Sequence, residues 1–189
     1  MEDSQIVRFK KETKNNYNFS DFQVNACNGI LNNKHVLVTA HTGSGKTLPA
    51  EFAIFYYITV LKKKVIYTSP IKALSNQKFK EFTEKFQNIN IGILTGDIKH
   101  NPSADLLIMT TEILQNHCFK IKNQNLYLDF NIDIDNELGC VIFDEVHYID
   151  DKDRGTVWEQ TIIMLPDPVS YTHLRAHETR EDRVFRLRG

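Results

Sequence analysis

Short apolar runs alternate with longer, periodically apolar segments from about position 22 to position 165. The runs VLVTA (Val36–Ala40), VIYTS (Val65–Ser69), IGIL (Ile91–Leu94), LLIMT (Leu106–Thr110) and VIFDE (Val141–Glu145) are short and rich in β-branched residues, as strands covered on both faces must be. Between them lie segments with helical spacing. In Phe22–Leu31 the residues Phe22, Ala26, Ile30 and Leu31 share a face, and Ser20 or Asp21 can cap the start. Thr47–Leu61, Ala73–Phe86, Thr111–Phe119 and Val157–Leu165 read as further helices. Such alternation predicts an α/β domain, its sheet mostly parallel with helices on both faces.

Three stretches break the rhythm. Residues 1–16 are charged, polar and without period, so a flexible lead-in is expected there. Asn125–Asp135 alternates strictly, with Leu126, Leu128, Phe130, Ile132 and Ile134 on one side, which predicts a half-exposed strand or hairpin arm decorating the surface. After Pro166 the basic residues change character: Arg175, Arg180, Arg183, Arg186 and Arg188 appear, against Arg8 and Arg154 before it, and no lysine follows Lys152. The stretch VSYTHLRAHET also resembles translated adapter sequence. Residues 17–166 are therefore expected to form one domain, with 167–189 a non-native tail.

Composition narrows the partners. At 189 residues and 41% hydrophobic, the chain can bury one core. A net charge of -1 supplies no global basic field, so any polyanion must be held by a local surface. Cys27, Cys118 and Cys140 show no metal-ligand spacing and read as idle thiols in a reducing compartment. The start lacks the apolar core of a signal peptide and no run is long enough to span a bilayer, which predicts a soluble, intracellular protein with no membrane partner.

The densest chemistry is Ala40-His41-Thr42-Gly43-Ser44-Gly45-Lys46-Thr47, between a predicted strand and a predicted helix. That context is the one a phosphate-binding loop requires. Gly43 and Gly45 permit a tight turn that aims N–H groups of Thr42, Ser44 and their neighbours inward, and the following helix adds its positive dipole end. Lys46 supplies a charge for β- and γ-phosphates and Thr47 a hydroxyl for Mg²⁺, so ATP with Mg²⁺ is the expected cofactor. Ala40 stands where the general pattern has glycine. About a hundred residues on, Asp144-Glu145 ends an apolar strand. There Asp144 can hold Mg²⁺ while Glu145 orients and deprotonates the attacking water. The reading requires Lys46 and these carboxylates to meet at one sheet edge, in a RecA-like fold.

Asp144-Glu145-Val146-His147 is a DExH box, and VIFDEVHYIDDKDRGTVWEQTIIMLP around it resembles the superkiller-type RNA helicases of superfamily two, which feed RNA to the exosome. YTSPIKALSNQKFKEF (Tyr67–Phe82) resembles their motif Ia, LTGDIKHNPSADLLIMTTEIL (Leu94–Leu114) their motif Ib, and Phe19 with Phe22-Gln23 their adenine-reading segment. The resemblance runs from about Tyr17 to Pro166. It implies that Gln23 reads adenine, that His147 couples the nucleotide site to a second domain, and that Ser69, Pro70, Lys72, Gln77, Lys78, Gly96, Thr110, Thr111 and Glu112 line a path for single-stranded RNA. It further implies 3′-to-5′ RNA unwinding and exosome or adaptor partners. In this family a second RecA-like domain follows, so the chain is expected to be the first half of a motor and nearly inactive alone. A nucleotide-gated, non-catalytic binding module and a DNA helicase of the same superfamily are the alternatives.

Overall fold

The computed structural model describes residues 3–14, 18–41, 43–122, 132–133, 136–146, 148, 155–165, 170–176 and 183–187. The strands are β1 (His35–Ala40), β2 (Lys64–Ser69), β3 (Ile91–Leu94), β4 (Lys99–His100), β5 (Leu106–Thr110), β6 (Leu138–Phe143), β7 (Ser170–Ala176) and β8 (Arg183–Leu187). They form one sheet in the order β4-β3-β5-β2-β6-β7-β1-β8. Every inner pair is parallel; β4 on β3 and β8 on β1 are the antiparallel edges. The helices are α1 (Ser4–Glu12), α2 (Asp21–Leu31), α3 (Thr47–Phe55), α4 (Lys72–Lys85), α5 (Thr111–Lys122) and α6 (Gly155–Met164).

The continuous apolar strands divide residue by residue between two cores. Val65, Tyr67, Leu106, Ile108, Cys140 and Ile142 face a core shared with α1, α2, α3 and α4. Ile66, Leu107, Met109, Val141 and Phe143 face the opposite core, with Leu114 of α5 and Trp158 of α6. Strand side chains alternate between faces, so a strand apolar throughout can exist only where both faces are covered. This is the RecA-like layered arrangement expected from the pattern.

Differences from the expected layout have local causes. Residues 4–12 form α1: Asp3 Oδ1 accepts the Gln5 N–H at 2.8 Å, and Ile6 and Phe9, three apart on one face, are buried completely. The absent long-range periodicity reflects brevity, since nine residues hold only that one buried apolar pair. The predicted helix Thr47–Leu61 divides, its last turn (Tyr56–Val60) widening to π geometry, with Leu61 N–H donating to Tyr56 O. Pro49 is tolerated in its first turn, where no helical N–H bond is lost. The alternating arm lies outside the described residues apart from Ile132, buried as its side of the alternation predicts, and exposed Asp133.

The expectation that nothing after 167 belongs to the fold meets a different arrangement. Residues 170–176 run parallel between β6 and β1, pairing Ile142 with Thr172 and Val38 with Leu174. The ladder is made by main-chain groups, so the slot asks for extended backbone far more than for particular side chains.

Candidate functional site

At the carboxyl end of β1 the chain turns through the glycine-rich loop into α3. Gly43 (φ +86°) and Gly45 (φ +81°) occupy left-handed conformations that side chains disfavour. The Ser44 N–H and hydroxyl both donate to His41 O, at 3.2 and 2.8 Å, which closes the turn. Thr42 lies outside the described residues. Gln23, buried on the first turn of α2, accepts from the Ser20 N–H at 2.9 Å and donates through Nε2 to Gly45 O at 3.1 Å. The segment expected to read adenine is thus bonded directly to the phosphate loop. Phe19 is buried beneath α1, edge-on to Phe9 and under the Lys10 ammonium, 4.3 Å from its ring centre. A Cβ at Gly45 would stand 2.6 Å from Gln23 Nε2. Gly45→Ala is therefore expected to break that link and strain the loop by about 1–3 kcal/mol, weakening binding of an ATP analogue roughly tenfold in an equilibrium titration.

The acidic pair emerges from β6 at the same sheet edge. Lys46 Nζ lies 3.1 Å from Glu145 Oε1 and 3.4 Å from Oε2, joining residues 99 positions apart. Both side chains are largely withdrawn from solvent, with 13% and 24% exposure. Glu145 has φ +54°, an uncommon conformation for a residue with a Cβ and one that concentrates at functional sites. Its N–H donates to Asp144 Oδ1 at 3.0 Å. Asp144 Oδ2 accepts the buried Tyr67 hydroxyl at 2.5 Å. Burial raises the Asp144 carboxyl above its ordinary pKa against the opposing effect of that hydrogen bond. Burial, and then the Asp144 carboxylate, push the Tyr67 phenol well above its usual value, so it stays a proton donor.

Thr47 opens α3 and Asp144 directly follows β6, two hard oxygen donors beside the loop. A small donor set of that kind suits Mg²⁺, which keeps waters and takes phosphate oxygens as its remaining ligands. The loop is open at Gly43, where a Cβ would meet nothing within 4 Å. His147 lies outside the described residues.

The residues expected along a nucleic-acid path follow the same edge, because Ser69, Thr110 and Leu94 end the adjacent parallel strands β2, β5 and β3. Their availability differs. Lys72 and Gln77 are exposed, Lys72 pairing with Asp97 at 2.6 Å beside exposed Gly96. Gln77 and Lys78 both bond Glu81, each at 2.7 Å. Ser69 is buried, with its hydroxyl 2.7 Å from that of Ser75. Thr110 and Thr111 are buried at the β5–α5 junction, Thr111 Oγ1 making no hydrogen bond, and Glu112 and Pro70 complete the row. Sequence reasoning missed Tyr67, Asp97 and Glu81. A hydroxyl inside the apolar strand VIYTS was the available sign for Tyr67, since a buried phenol needs a partner; for Glu81 the sign was its i+3 and i+4 spacing from Lys78 and Gln77 on the predicted helix, and nothing local marked Asp97.

A sequence profile described as DEAD/DEAH box helicase matches residues 20–177. The exosome RNA helicase MTR4 of Homo sapiens is 48% identical over 155 residues, 82% of this chain and 14% of that protein. The antiviral helicase SKI2 of Saccharomyces cerevisiae is 46% identical over 160 residues, 85% of this chain and 12% of that protein. The chain thus spans a small fraction of the length of these relatives. The crystal structure of the DUF1998 helicase MrfA covers 92% of this chain and 29% of its own, with a TM-score of 0.69 and 17% identity, a likeness of fold.

Proposed function

We propose, for a chain that belongs to the DEAD/DEAH box helicase family, that it forms the ATP- and RNA-binding first half of an ATP-dependent RNA-unwinding motor. The observation that supports this most is the meeting of Lys46 with Glu145, which no local sequence feature imposes. Lys46 carries the charge that would meet the β- and γ-phosphates, and the Glu145 carboxylate lies 3.1 Å from it. Lys46 would hold phosphate oxygens, and Glu145 would orient a water and take its proton. Thr47 and Asp144 would hold Mg²⁺, which supplies neutralisation of phosphate charge when bound. Gln23 would read the adenine edge, and its bond to Gly45 would make adenine recognition felt in the loop.

RNA is favoured over DNA by the relatives, the exosome RNA helicase above all, and an exosome or adaptor partner is proposed on the same ground. Lys72, Gln77 and Lys78, with the strand-end residues Ser69, Pro70, Gly96, Thr110, Thr111 and Glu112, would grip the phosphate backbone without regard to sequence. The tail 167–189 we take as non-native, its strand slot being one that main-chain pairing alone can fill. Glu145→Gln tests the division of labour. It is expected to bind ATP analogues at least as tightly as the wild type, because Lys46 loses its competing anion, while RNA-stimulated hydrolysis, measured in a chain completed by a second RecA-like domain, falls by about 10²–10⁴-fold. Loss of binding together with turnover would refute the assignment.

A further inference from the structure

We infer that Tyr67 is a positioning residue for the metal-binding carboxylate: its hydroxyl, 2.5 Å from Asp144 Oδ2, holds Asp144 in the orientation that meets the divalent cation of a nucleoside triphosphate seated at Lys46 and Thr47. The inference rests on the nucleotide-binding reading above and extends it to a residue outside both the phosphate loop and the acidic pair.

The geometry leaves the phenol and the carboxylate little freedom. β2 and β6 are parallel neighbours in the register Tyr67 to Ile142 and Thr68 to Phe143. The ladder continues one step further, with Asp144 N–H donating to Thr68 O at 2.9 Å, so the Asp144 backbone is pinned to β2. Tyr67 is completely buried, its ring edge-on to Phe82 at 5.2 Å and 77°. A ring so packed delivers its hydroxyl to one place. Among the described residues Asp144 then has one protein donor on each oxygen, the Tyr67 hydroxyl on Oδ2 and the Glu145 N–H on Oδ1. Two donors on different atoms oppose rotation of the carboxylate, while each oxygen keeps a further lone pair for a cation or its waters. Carboxylates that serve metals are commonly held in this way, and loss of such a support costs about 10–100-fold in metal affinity. Satisfying a buried phenol would by itself require the same bond, so the two roles must be separated by what they do to metal dependence.

The test titrates a fluorescent, non-hydrolysable ATP analogue onto the 189-residue chain, once in chelator and again across a Mg²⁺ series, with melting temperature recorded alongside. Tyr67→Phe keeps the ring and removes one oxygen. It is expected to bind the analogue in chelator within about twofold of the wild type, yet to need about tenfold more Mg²⁺ for half-maximal tightening. Tyr67→Leu, a second variant without the hydroxyl, must show the same shift in Mg²⁺ requirement. An unchanged Mg²⁺ requirement in Tyr67→Phe overturns the inference. So does an equal loss of affinity with and without Mg²⁺ accompanied by a lower melting temperature, which would mark the bond as purely structural. A wild-type chain that binds the analogue under neither condition would instead overturn the nucleotide-binding reading on which the inference stands.

Discussion

Lys46→Ala is expected to weaken binding of a non-hydrolysable ATP analogue by about 10–100-fold, the equivalent of one charge-assisted hydrogen bond at about 1.5–3 kcal/mol. Two effects add. The variant loses the ammonium that would meet the β- and γ-phosphates, and it leaves Glu145 next to the loop without the cation now 3.1 Å away. An incoming triphosphate then faces a carboxylate in place of a lysine, in surroundings partly withdrawn from water where like charges repel more strongly. The fold should tolerate the change, since Lys46 precedes α3 and contributes nothing to either core. Circular dichroism and melting temperature should therefore match the wild type while the binding isotherm shifts. Equal affinity in the two proteins would remove Lys46 from the site and, with it, the significance of its meeting with Glu145.

Phe9→Ala should cost about 3–5 kcal/mol of stability, the usual range for deleting a buried aromatic ring. Phe9 is fully buried between Phe19 at 6.3 Å and Phe52 and Phe55, both at 5.5 Å, and Arg8 lies over the Phe55 ring. Its ring joins α1 to α3, the helix that follows the phosphate loop. Urea denaturation would show the loss as a lower midpoint at constant slope, and thermal melting as a fall of roughly 10 °C for a chain of this size. Val7→Ala, on the exposed side of the same helix, should stay within about 0.5 kcal/mol of the wild type. A frayed lead-in would instead make both substitutions silent, so the pair decides whether α1 belongs to the domain. The profile match begins at residue 20, beyond the end of α1.

Much of the architecture and the chemistry was legible along the chain. Strands apolar on both sides announced a covered sheet because side chains alternate and neither face could meet water. Gly43 and Gly45 before Lys46-Thr47, and Asp144-Glu145 after VIF, were legible because turn chemistry and charge at a strand end act over a few residues. α1 was not legible, since its meaning lies in the Phe19, Phe52 and Phe55 rings that receive Phe9. The family resemblance implied Ser69 as a residue of the RNA path, and only the start of α4 folding over it revealed its bond to Ser75.

By itself the sequence determined the order of strands and helices from α2 to α6, the two-residue β4 excepted, and it marked the glycine-rich loop and the acidic pair. Tertiary structure decided that Lys46 answers to Glu145 across 99 positions and that Tyr67 answers to Asp144 across 77. Periodicity and turn preference are short-range properties, whereas the partner of a buried polar group depends on strand order and register, quantities set by the packing of the entire sheet and carried by no single segment of it.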